Sequence, residues 1–287
     1  MDLTVIDTLS AVASEFIKCR RRPAIWIVGA CWTAQIVLFA YLVPFLILQT
    51  VPSTSTTATR TLLLGKLLPG NVDLTTAASF PIFGGAVMLI LGVLLVGAEY
   101  RWGTWSTILT QGPSRLTILL GKFLSSGLIV AIIVVISYVA ATLVSIALGI
   151  AMHRPLQAPP IGRLALSLMV AILISYAWIS LGMLLGVVFK SSTAALAVGL
   201  IYCLALENMI SSFSTVIHVL SPLRQLLLGV NSGSLVAALG AATQSAPDGT
   251  PGVVSVVGGT HATLALLVYA LGTFVLCLFL LQRRDVA

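Results

Sequence analysis

The sequence predicts an all-α polytopic membrane protein with six transmembrane helices, and three observations carry that prediction. The 287 residues are 59% hydrophobic, and charged side chains make up only 8%, where an ordinary soluble domain has about a quarter. The mean hydropathy is +1.11. The apolar runs are long and unbroken, without the alternation of barrel strands, so backbone groups in lipid are satisfied inside helices.

The elements follow in order. Residues 1–22 place Val5, Leu9, Val12 and Phe16 at helical spacing, with Ile6, Ala13 and Ile17 beside them, and end in the basic stretch Lys18 to Arg22 before Pro23. This predicts an interfacial helix whose basic end lies among lipid headgroups. A secretory signal fits less well, because no clear small-residue cleavage site follows. The first span is expected over 24–48, with Gln35 in its middle and Pro44 near its far end. After a polar loop and an amphipathic piece around Leu62 to Leu68, the second span covers 76–97.

The third run, 116–152, is longer than a bilayer requires, so part of it projects or tilts, and Lys122 near its start is expected to snorkel to the interface. The fourth span covers 164–189. A very short turn, Lys190 to Ser192, leads to the fifth over 194–206. Residues 207–257 hold two moderately apolar pieces and turn-rich stretches, read as short helices on or dipping into the outer leaflet. The sixth span covers 260–281, and the whole of 1–287 forms one membrane domain.

Six spans put both termini on one side. With the N-terminus inside, Lys18, Arg20, Arg21, Arg22, Arg101, Arg115, Lys122, Lys190, Arg283 and Arg284 are cytosolic, and Arg60, Lys66, Arg154, Arg163 and Arg224 are outside. Ten against five favours both termini in the cytosol by the positive-inside rule. The formal charge of +7 is therefore topological, since the basic residues cap apolar runs and form no face for nucleic acid.

That orientation makes 99–115, EYRWGTWSTILTQGPSR, a cytosolic loop. Trp102, Trp105, Ile108 and Leu109 fall on one face of a short helix, with Glu99, Arg101, Thr107 and Gln111 largely on the other. Two readings stand: an interfacial aromatic belt, or a docking helix for a cytosolic partner held to the bilayer by its aromatic stripe.

No phosphate-cradling loop occurs. Gly65-Lys66 and Gly121-Lys122 lack both the glycine five residues before and the following Ser or Thr. HExxH and GxSxG are absent, and the eight acidic residues form no cluster. Cys19, Cys31, Cys203 and Cys277 stand singly, as core fillers or free thiols, and no metal is expected. Glu207 and Asn208 are either intramembrane groups with a function or the first polar residues of the outer loop. Gln35 either lines a pathway or bonds a neighbouring helix. Gly182 and Gly186 form a GxxxG, and Gly84, Gly85, Gly92 and Gly97 lie on span two. These are packing positions, against another span or another chain.

Glu99 closing span two, Gly103-Thr104, the amphipathic turn with Leu109, Pro113-Ser114-Arg115, and Gly121-Lys122 opening span three resemble the ABC-2 type permeases, the membrane subunits of ATP-binding-cassette exporters. The resemblance extends to the order of elements over the whole chain. It implies a coupling helix within 99–115, with Glu99, Arg101, Trp102, Gly103, Thr104, Trp105 and Leu109 at the ATPase interface, and an elbow helix over 1–22. It further implies a substrate pathway near Gln35, Glu207 and Asn208, and a location in a prokaryotic plasma membrane. The implied partners are a separate ABC ATPase, which binds ATP and Mg while this chain carries no cofactor, a second permease chain forming a homodimer, and membrane lipids. The second tryptophan departs from the family pattern, where one large apolar residue suffices. The rival functions are a membrane enzyme acting on lipids and an ATP-independent channel.

Overall fold

A computed structural model describes residues 5–50, 57–101, 114–214 and 216–283. Among these, six helices are long and apolar enough to cross a membrane, which gives the all-α polytopic fold. Helix α1, Val5–Arg20, precedes the first of them, α2, Pro23–Thr50. Proline suits the start of α2, where its missing N–H would have no intrahelical partner. Inside the same helix Pro44 collides with the carbonyl four residues back, and the backbone ahead of it widens into a π-helical turn over Val37–Leu42.

Helix α3 is Thr57–Leu67 and α4 is Val72–Ala77. Residues 76 and 77, expected to open span two, belong to α4, whose buried Asp73 accepts a hydrogen bond from Arg163 Nη2 at 3.1 Å. The spanning helix begins with a π turn at Phe80–Gly84, which contains Pro81, and continues as α5, Gly85–Arg101. The third span is α6, Arg115–Ala151, and the fourth is α7, Ile161–Phe189. At 37 residues, α6 is about 55 Å long.

A left-handed Lys190 (φ 49°) turns the chain at the end of α7. The next helix, α8, runs Ser192–Phe213. It passes the expected end near Leu206 because nothing there breaks it: Ile201–Leu206 is a π turn and Glu207–Phe213 resumes the α-helix. Glu207 and Asn208 therefore lie within the helix, and the outer-loop reading of these two residues is corrected. Helix α9 is the short Ser221–Leu226. Helix α10, Leu228–Ala238, is largely buried and packs against the last span, α11, Gly259–Arg283, so it is built into the bundle.

Helices α5 and α7 form the centre. Gly92 lies where an added Cβ would fall 2.1 Å from the Ile179 carbonyl oxygen, and at Gly182 the same atom would fall 2.2 Å from that of Leu89. Only glycine lets the two backbones touch here, so Gly182 packs on a span of its own chain. Trp32, Phe80 and Trp178 are fully buried around this contact, with Trp32 and Phe80 edge to face at 5.1 Å. Helices α2, α8 and α11 lie outside and expose apolar side chains such as Phe39, Ile201 and Val268, which suits lipid or another apolar partner.

Candidate coupling site

The segment 99–115 joins the end of α5 to the start of α6, and the structure describes its two ends, 99–101 and 114–115. Ser114 caps α6, its Oγ accepting from the Thr117 backbone N–H at 3.1 Å. Arg115 donates to the carbonyl oxygens of Leu281 and Gln282 in the last described turn of α11. Span three is thereby fastened to the end of span six.

Helix α1 crosses the first turns of α6. The crossing is close because Gly121 has no side chain: a Cβ there would lie 3.0 Å from that of Ala11. The next residue, Lys122, is only 4% exposed and does not reach the interface, contrary to the expected snorkelling. Its ammonium lies 2.9 Å from Glu15 Oε2 on α1 and donates to Glu99 Oε1 on α5. Glu15 also pairs with Lys18 at 2.6 Å. The physical reason for the correction is that two carboxylates converge on Lys122, so its charge is satisfied inside the protein.

The result is a chain of alternating charges, Lys18–Glu15–Lys122–Glu99, running inward from a partly exposed lysine to buried groups. Burial costs several kcal/mol per ion, and the arrangement persists only because each charge has a partner. Burial pushes the Glu15 carboxyl up, yet Lys122 and Lys18 together hold it below the ordinary carboxylate value. Burial pushes the neighbouring Cys19 thiol up to about 11, so it is an inert packing group. Arg22 Nη1 adds a contact of 3.4 Å to the Leu95 carbonyl oxygen. Helix α1 is thus tied directly to α6 through Glu15 and Lys122, and the link to α5 runs through Lys122 and through Arg22, which follows α1.

Of the interface residues named from the sequence, Glu99 is in this network. Arg101 ends α5 in backbone terms, and its side chain, with Trp102, Gly103, Thr104, Trp105 and Leu109, lies outside the described residues. Glu15 and Lys122 were not recognised as site residues. The signal for Glu15 was present: Val12, Glu15, Phe16 and Cys19 share one face of α1, and that face meets the bundle, while Leu9 and Ile17 are exposed. An acid on the inward face of a helix requires a buried partner, a cation or a hydrogen-bond donor.

The pathway candidates separate. Glu207 is buried, and its two carboxylate oxygens accept from the Gly229 backbone N–H at 3.2 and 2.9 Å. Gly229 is in the first turn of α10, so Glu207 caps that helix and complements its dipole. A Cβ at Gly229 would fall 2.2 Å from Glu207 Oε2. Glu207, Asn208, Ser211 and Gln244 share a small cavity of about 100 Å³. Gln35 is half-exposed on α2 and is not part of that cavity.

Six spans, a lead helix packed on span three and an ion network that joins the ends of spans two and three define a class, the polytopic α-helical membrane proteins. The family model described as ABC-2 family transporter protein matches residues 9–286, and the chain belongs to that family. It is a permease component of an ABC transporter, a multi-pass membrane protein that associates with an ABC ATPase subunit. No curated protein matches the chain.

Proposed function

We propose that this chain exports a substrate across a prokaryotic plasma membrane, both termini lying in the cytosol, on ATP hydrolysed by a separate subunit that supplies the ATP and Mg sites. The observation that carries the reading is the buried network of Glu15, Lys122 and Glu99. It closes the base of 99–115 and locks that base to α1, so force applied to the loop reaches three helices together. A loop that only joins two spans needs no such anchorage.

In this reading the ATPase seats against the segment from Glu99 to Leu109, and closure of its two subunits moves the segment. The displacement passes through Glu99 into α5, through Lys122 into α6, and through Glu15 into α1. Helix α5 packs backbone to backbone on α7 at Gly92 and Gly182, which extends the motion to the centre of the bundle. A second, identical permease chain would cover part of the apolar exterior of α2 and α8. The cargo passes between the two permeases. A mostly apolar interior suits an amphiphilic or hydrophobic substrate.

The test is nucleotide turnover. The purified chain alone is expected to hydrolyse no ATP and to stimulate or organise a co-expressed ABC ATPase. Robust hydrolysis by the chain alone would end this reading, and flux through liposomes without ATP would favour a channel.

A further inference from the structure

A second site lies at the opposite end of the bundle. The Ser145 hydroxyl of α6 donates to the Leu67 carbonyl oxygen at 2.6 Å, which places the end of α3 about 35 Å along α6 from Lys122, a bilayer thickness away. There α3, α4 and the 240–250 loop line an open cavity of about 330 Å³, whose walls include Leu62, Lys66, Asn71, Asp248 and Thr250. That volume is at the small end of ligand sites.

The walls are preorganised. Asn71 Nδ2 donates to the Gly65 carbonyl oxygen at 3.1 Å, and Thr75 Oγ1 to that of Lys66 at 3.1 Å. The loop is closed by backbone hydrogen bonds from Gln244 to Val253 and from Gly249 to Ala246, each 2.8 Å. Within this frame Lys66 is half-buried, and its ammonium donates to the Thr250 hydroxyl at 3.4 Å. Among the described residues no carboxylate lies within ion-pair distance of it. Burial lowers the Lys66 pKa, and Asp248 offsets this only in part. The cavity thus presents one cation and, apart from it, one half-buried carboxylate. Leu62, 40% exposed, gives it an apolar rim.

We infer that this cavity binds a phosphoethanolamine group, its phosphate on Lys66 and its primary ammonium on Asp248, on the membrane face opposite the coupling site. Such a group reaches the site either as the headgroup of a phospholipid or as a free phosphodiester, and both offer the same two charges. A partly buried charge on each side rewards a ligand that carries the complement of both, and penalises one that carries a single sign.

The experiment is native mass spectrometry of the full-length chain in maltoside, titrated with phosphatidylethanolamine or phosphatidylglycerol at equal concentration. The wild type is expected to retain phosphatidylethanolamine preferentially. Lys66→Gln should weaken that retention about tenfold, the loss of one charge-assisted hydrogen bond. Asp248→Asn should shift the preference toward phosphatidylglycerol, because the carboxylate that repels a net anion is gone. Ala242→Phe enlarges a side chain in the cavity wall while keeping both charged residues and should reduce retention of both lipids, with unaltered thermal unfolding as the check on folding. Displacement of the lipid by glycerophosphoethanolamine identifies the free ester as sufficient, and lack of displacement identifies the membrane lipid as the ligand. Equal retention of the two lipids by the wild type, or retention of phosphatidylethanolamine unchanged in Lys66→Gln and Ala242→Phe, overturns the inference.

Discussion

Lys122 Nζ lies 2.9 Å from Glu15 Oε2, across a helix crossing that the adjacent Gly121 makes possible. The Gly-Lys pair thus does two jobs in consecutive positions, admitting α1 and then pinning it. Since Lys122 also holds Glu99, the pinning reaches the residue from which the loop departs.

Replacing Lys122 with Met removes the buried cation that Glu15 and Glu99 share and should destabilise the folded chain by about 3–5 kcal/mol. The neutral triple variant Glu15→Gln, Lys122→Met, Glu99→Gln should recover much of that stability. Thermal unfolding of the two purified variants checks this. If Lys122→Met unfolds like the wild type, the network carries little energy.

The network should also make stability acid-sensitive. Glu15 titrates below its ordinary 4.5 in the folded chain, so its contribution is present above the unfolded value and is lost as pH falls through the folded one. Between about pH 5 and pH 3 the melting temperature of the wild type should therefore fall further than that of Glu15→Gln. Parallel curves would argue against the assignment.

Gly229→Ala drives a methyl group into the Glu207 carboxylate and should cost about 1–3 kcal/mol by overpacking. Glu207→Gln keeps an acceptor for the Gly229 N–H and should cost less. Equal tolerance of the two changes, read by thermal unfolding, would mean that Glu207 does not cap α10.

Ser114→Ala removes the N-terminal cap of α6 and should cost about 1 kcal/mol. Its effect should be greatest in the first turn, where hydrogen exchange of the Thr117 amide should accelerate. Unchanged protection there would contradict the capping geometry.

The six spans were legible because the demand of lipid for continuous apolar helix writes itself into length and composition. The GxxxG at Gly182 was legible as a packing position, but its partner was not, since the facing Gly92 and Leu89 lie some ninety residues away in the chain. The continuation of α8 past Leu206 was hidden because a buried carboxylate resembles the start of a loop until its partner, the Gly229 N–H, is known. Lys122 was misread for the same reason. A lysine near the end of a span normally reaches for water, and only the fold brings Glu15 and Glu99 to it. Trp102, Trp105 and Leu109 are legible from their spacing as one face of a short helix, and their place at an ATPase interface only through the family resemblance.

The central claim is that a separate ATPase drives this chain through a loop anchored by the buried network. The most direct measurement is ATP hydrolysis by the purified chain alone, by its complex with a co-expressed ABC ATPase, and by the same complex carrying Glu99→Ala and Arg101→Ala. The account predicts no turnover by the chain alone, Mg-dependent turnover by the complex, and weakened association or altered ATPase activity in the variant. Hydrolysis by the isolated chain, or a variant complex that assembles and turns over ATP as the wild type does, would contradict it.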